Sequence, residues 1–124
     1  MFVAMQNYRR LPVWRKAHAT ALNIYELTQR MPSKGNAGLL DQIRRAALSI
    51  PANIAEGSSR PTDKDFAKFL SIALASTTEV EYHLEFAAGA SIIPHSEFKL
   101  RQQDLIEIRM MLTGFVKHLR KTVR

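Results

Sequence analysis

Apolar residues recur every three or four positions through four separate stretches of this chain, the period of an α-helix with one buried face. Trp14, Ala17, Ala21, Ile24, Thr28 and Met31 form the first seam, and Leu39, Ile43, Ala46, Ala47, Ile50 and Ile54 the second. Phe66, Phe69, Leu70, Ala73, Thr77, Val80, Leu84 and Ala87 form the third; Leu105, Ile108, Leu112, Phe115 and Leu119 form the fourth. The punctuation between them fits. Pro12 suits the first helical position, where a missing N–H costs nothing. Residues 32–36, Pro-Ser-Lys-Gly-Asn, form a loop, and the second helix runs from about Gly38 to Glu56, with Gly57 and the Ser58-Ser59-Arg60-Pro61 run ending it. Thr62 with Asp65 makes a capping box for the third helix, residues 89–94 make the next turn, and Ser96 caps the fourth. No alternating run is bounded by turn residues, so no strand is predicted. The expectation is all-α: an antiparallel up-and-down four-helix bundle forming a single domain over 1–124, with residues 1–11 as an N-terminal arm.

The second helix carries an unusual line of polar residues. Gln42, Arg45, Ser49, Asn53 and Glu56 follow spacings of three and four beside the apolar seam. Pro51 interrupts them; its ring clashes with the Ala47 carbonyl, so a kink or local unwinding is expected. Two readings compete. The line is a ligand site open to solvent, or a structural polar seam whose members are buried and paired. An unpaired buried charge is costly, so the second reading requires partners, and Ser76, Glu79 and His83 on the third helix supply them. The structural seam is the preferred expectation, with Arg45, Ser49 and Asn53 joined to Glu79.

The fourth helix adds Ile106, Met110, Met111 and Val116 beside its main seam. A helix apolar over more than one stripe buries more than one side. A wide core contact and a subunit interface both satisfy that pattern.

Charge changes the picture next. The 124 residues carry a net charge of +7, with eight basic and two acidic residues among the first fifty. Such a balance attracts polyanions, while cations at a helix C-terminus also complement its dipole. Arg9, Arg10, Arg15, Lys16, Arg44, Lys117, Arg120, Lys121 and Arg124 are the candidate phosphate contacts. Trp14 offers a stacking platform, although its place on the seam favours the core. Cysteine is absent, which excludes disulfides and thiolate chemistry. The N-terminus has no signal-like apolar core, and the longest uncharged run, Phe86 to Ser96, is far short of the roughly 18 residues of a membrane span. A cytoplasmic protein without membrane contact is expected.

Catalytic motifs are missing. None of the four histidines follows a glutamate by three positions, so a di-iron site is not expected. The five glycines form no phosphate-binding loop, and no serine has a triad context. No metal, no cofactor and no enzymatic activity are expected.

Three segments carry a resemblance. Leu11-Pro12-Val13-Trp14-Arg15-Lys16-Ala17, residues 42–57 (Gln-Ile-Arg-Arg-Ala-Ala-Leu-Ser-Ile-Pro-Ala-Asn-Ile-Ala-Glu-Gly), and Phe69-Leu70-Ser71-Ile72-Ala73 with Ser76 and Glu79 resemble the four-helix-bundle family of 23S ribosomal RNA intervening-sequence proteins. That family is related to the accessory variability protein of diversity-generating retroelements. The resemblance spans nearly the whole chain. It implies a bundle assembling into a ring-shaped homo-oligomer, a homopentamer, and through the retroelement relative it implies nucleic-acid binding and work with a reverse transcriptase. The family pattern often has a bulky acidic-aromatic stretch before the second helix, where this chain has the small residues Lys34-Gly35-Asn36-Ala37-Gly38. The functional expectation is a non-catalytic oligomeric bundle that binds RNA or DNA through basic patches. The alternative is a protein-interaction scaffold, for example an accessory subunit of a reverse transcriptase.

Overall fold

The computed structural model describes residues 6–121. A short 3-10 turn, Tyr8–Arg10, leads into four helices: α1 (Pro12–Gln29), α2 (Ala37–Ser58), α3 (Asp63–Gly89) and α4 (His95–Lys121). Among the described residues there is no strand. Each helix packs against its two neighbours around a square, α1 on α2, α2 on α3, α3 on α4 and α4 on α1. Short connections force neighbours to run antiparallel. The start of α1, the α2–α3 turn and the end of α4 therefore share one pole. The α1–α2 loop and the α3–α4 turn share the other.

The core is made largely of the predicted apolar seams, with Leu39, Phe69 and Phe115 only half-buried and the α1 stripe rotated. Ile43, Ala46, Ala47, Ile50 and Ile54 of α2 are buried, as are Phe66, Leu70, Ala73, Thr77, Val80, Leu84 and Ala87 of α3. On α1 the buried stripe is Val13, Ala17, Thr20, Ile24, Leu27 and Thr28, rotated from the predicted seam. Trp14, Ala21 and Met31 lie at the edge of the core and pack against it. A single helix gives two adjacent stripes of similar hydropathy here, and only contact with α2 and α4 selects between them. On α4, Val116 of the second stripe is buried, Ile106 and Met111 are half-buried, and Met110 is exposed.

Local signals set most helix ends. Pro12 occupies the first turn of α1, and the Thr62 hydroxyl accepts the Asp65 N–H at 3.1 Å to cap α3. At the far end of α3, Ser91 takes φ 62°. The Ser91 and Ile92 N–H groups bond back to the Ala88 and Ala87 carbonyls at 3.0 and 2.8 Å, a Schellman closure. Helix α4 begins at His95, one residue before the expected cap.

Helix α2 does not stop at Pro51 but continues through it, helical on both sides. Side chains beside the proline bond to the helix carbonyls: Ser49 Oγ to Ala46 O at 2.9 Å and Asn53 Nδ2 to Ser49 O at 2.7 Å. The helix ends at Ser58, inside the expected run from Gly57 to Pro61. Gly57 also has a second role, proximity: a Cβ there would sit 2.8 Å from both Phe66 Cδ1 and Phe69 Cβ. Only a bare α-carbon lets α3 pack this closely as it leaves the turn.

Candidate nucleic-acid interface

The pole that carries the α2–α3 turn is assembled from three segments far apart in sequence. The N-terminal arm is tied down by a backbone bond from Gln6 N to Ser58 O at 3.0 Å. Asn7 Oδ1 accepts the Arg9 N–H at 3.0 Å, and Arg9 lies over the Tyr8 ring at 4.5 Å. Tyr8 in turn meets Trp14 edge-on at 4.8 Å, and His18 stacks on the Trp14 face at 4.8 Å with 9° between planes. Trp14 is thus half-buried, with neighbouring rings on it.

Around this pole lie Arg9, Arg10, Arg60, Lys64, Lys68, Lys117, Arg120 and Lys121, eight cations among the described residues. The acids there are three: Glu56, Asp63 and Asp65. Glu56 pairs with Arg60 at 3.5 Å, Asp65 lies 4.0 Å from Lys68, and Asp63 is buried at the start of α3. The opposite pole is balanced. Arg30, Lys34, Lys99 and Arg101 lie there, and so do Glu26, Asp41, Glu85 and Glu97.

The candidate cations divide accordingly. Arg9, Arg10, Lys117, Arg120 and Lys121 are exposed at the basic pole. Arg15 is exposed too, its guanidinium reaching the Arg10 carbonyl at 3.3 Å. Lys16 is committed elsewhere: it pairs with Glu107 at 2.8 Å and Asp104 at 3.4 Å across α1 and α4. The Glu107 hydrogen bond, chiefly, holds its ammonium above the usual lysine range, and the same bond holds Glu107 below the usual carboxylate range. Arg44 lies away from the pole, bonded through Nε to Thr28 Oγ1 at 2.7 Å and set over the Tyr25 ring at 5.3 Å. Arg124 lies outside the described residues. Arg60, Lys64 and Lys68 were not among the sequence candidates. Their signal was topological, since an up-and-down bundle must bring the second turn beside both chain ends.

The structural polar seam is not buried within the chain, which corrects the preferred expectation. Arg45 is 81% exposed and pairs with Asp41 one turn earlier at 3.1 Å. Gln42, Glu56 and Glu79 are exposed as well. Only Ser49 and Asn53 are half-buried, and the network to α3 reduces to Ser49 Oγ and Ser76 Oγ at 2.6 Å. One hydroxyl proton cannot serve two bonds, so Ser49 donates to the Ala46 carbonyl and accepts from Ser76. The physical reason is drift: spacings of three and four sweep across the outer face of α2 instead of holding to the α3 contact.

A second polar cluster lies between α3 and α4. Glu81 accepts from Gln102 Nε2 at 2.9 Å and forms a short ion pair with Arg109. Burial pushes the Glu81 carboxyl up, but the Gln102 and Arg109 hydrogen bonds and the Arg109 charge outweigh it and hold it below the usual range. Among the described residues no three His, Asp or Glu side chains come together in a way that would hold a metal. No helix among them is long and apolar enough to cross a membrane.

The sequence matches the 23S rRNA-intervening sequence protein family over residues 9–114. No curated protein matches it. The fold is similar to the crystal structure of a protein of unknown function from the S23 ribosomal protein family of Bacteroides thetaiotaomicron VPI-5482. That likeness has a TM-score of 0.77 at 29% identity and covers 85% of this chain and 98% of the other. With the family match running over residues 9–114 and reaching all four helices, this chain belongs to the 23S rRNA-intervening sequence protein family.

Proposed function

We propose that this protein is a non-catalytic, cytoplasmic nucleic-acid-binding bundle that engages RNA through its basic pole. The observation that carries the reading is the charge division: eight cations against three acids at one end, four against four at the other. Surface charge that the fold has neutralised serves the fold, whereas uncompensated charge at one end raises the local concentration of polyanions. Contacts to phosphate fix position and carry no sequence information, so weak sequence preference and strong salt dependence are expected. Reversing Arg9, Arg10 and Lys121 together to glutamate lowers RNA affinity more than about tenfold and flattens the salt slope by about 2, three contacts at roughly 0.7 each. Reversing Arg30 and Lys34 at the other pole changes affinity less than about twofold. Equal losses from both sets would sink the reading.

A second reading is favoured by exposed apolar side chains. Leu22, Tyr25 and Leu48 on α1 and α2 and Tyr82 and Phe86 on α3 are each about half exposed or more. They support assembly into the ring, a homopentamer, that the family likeness implies, and a scaffold presenting a surface to a protein such as a reverse transcriptase. Light scattering that gives five times the chain mass supports the ring, and a stable monomer at micromolar concentration overturns it. Pull-down with and without nuclease separates the scaffold from the RNA binder.

A further inference from the structure

The outer face of α3 and the last turn of α4 enclose a cleft of about 600 Å³, lined by Lys64, Ala67, Lys68, Ser71, Ile72 and Arg120. Ligand clefts typically enclose about 300–1,000 Å³. Its composition is two-sided. Three cations stand on the rim, Lys64 and Lys68 one turn apart on α3 and Arg120 on α4. Neither Lys64 nor Arg120 has an ion-pair partner among the described residues, and Lys68 has only Asp65 at 4.0 Å. Within the rim the surface is mostly apolar: the Ala67 methyl and Ile72, which is 50% exposed. The Ser71 hydroxyl is turned inward to the Ala67 carbonyl at 3.0 Å.

A polyanion with no apolar surface would use the rim and leave Ile72 in water. A duplex comes close to such a ligand, because its base faces are stacked inside and it presents sugar, phosphate and polar base edges. An unpaired nucleotide has both parts: a phosphate for the lysines and arginine, and a flat, weakly hydrated base for the aliphatic floor. We propose that this cleft seats one unpaired nucleotide, so that the basic pole selects single-stranded over duplex nucleic acid. The proposal rests on the nucleic-acid reading above and deepens it.

The test uses the full chain and fluorescence anisotropy with a labelled oligoribonucleotide of about 12 nucleotides, a length one small domain covers, single-stranded and annealed to its complement. The single strand binds more tightly, by about tenfold or more. Replacing Lys64, Lys68 and Arg120 together by alanine lowers single-strand affinity at least about tenfold and reduces the salt slope by about 2. Ile72→Ser lowers single-strand affinity about fivefold, the loss of most of one apolar contact, and leaves the salt slope and duplex binding unchanged. All four side chains are at the surface, and circular dichroism melts confirm that the variants fold. Equal affinity for single strand and duplex, or an Ile72→Ser variant that binds like the wild type, overturns the proposal. Failure of the wild type to bind RNA at all defeats the nucleic-acid reading itself. Loss of binding on reversing Arg9, Arg10 and Lys121, with full binding in the Lys64, Lys68 and Arg120 variant, preserves that reading and removes the cleft.

Discussion

The two poles of the bundle are made from the same kinds of residue and treat charge in opposite ways. At the α1–α2 and α3–α4 end, cations sit among an equal number of acids, and Arg30 comes within 3.8 Å of Glu97. The middle of the bundle is neutralised more tightly, through Lys16 with Asp104 and Glu107 and Arg109 with Glu81. At the α2–α3 end the acids run out. Pairs such as Lys16 with Glu107 gain from geometry inside one chain; Lys64, Lys117, Arg120 and Lys121 have no such use among the described residues. Charge number alone would treat all these residues alike. Compensation is what separates structural cations from those available to a ligand.

The sharpest way to break the contrast is to disturb the packing that holds the basic pole together. Gly57→Ala places a methyl within 2.8 Å of Phe66 and Phe69. The variant should lose about 1–3 kcal/mol in denaturant unfolding, the usual cost of overpacking. A neutral or stabilising result would show that α2 and α3 need not approach so closely. A smaller effect is expected in the neutralised middle. The Glu81 carboxyl is held below its ordinary value, so its contribution is fully present above the unfolded value of about 4.3 and is lost as pH falls through the folded one. Glu81→Gln should therefore melt lower than the wild type near neutral pH, by up to about 1 kcal/mol. The two melting curves should converge as pH falls below the ordinary carboxylate range and Glu81 is protonated in the folded state too; a gap independent of pH would mean that Glu81 acts through packing alone. The smallest effect belongs to Arg45, which faces solvent and pairs only with Asp41 among the described residues. Arg45→Ala should change stability by no more than about 0.5 kcal/mol, and a loss of several kcal/mol would restore the buried seam.

The apolar period marked out every helix, because burial of one face is written residue by residue. Pro12 and the Thr62 cap are equally local, which is why both ends were legible. Gly57 was legible as part of the run that ends α2, but its close packing was not, because the ring that excludes a side chain there, Phe66, belongs to the next helix. The polar line on α2 was visible as a line, but its burial depended on the angle at which α3 lies against it. Of its members, Ser49 falls against that contact and Arg45 and Glu56 fall outside it. The candidate cations were found by type and position near the chain ends. Arg44 and Lys16 were then withdrawn by Thr28, Tyr25, Asp104 and Glu107, partners on other helices that no spacing within one helix reveals.

Periodicity, caps and the Gln42-to-Gly57 motif thus determined, without coordinates, that the chain is an all-α bundle of this family, since each depends on neighbours within a few positions. What only the tertiary structure decided is which charges remain uncompensated. That outcome depends on distances of a few ångströms between residues as remote as Lys16 and Glu107, or Arg30 and Glu97, and such distances exist only once four helices have packed.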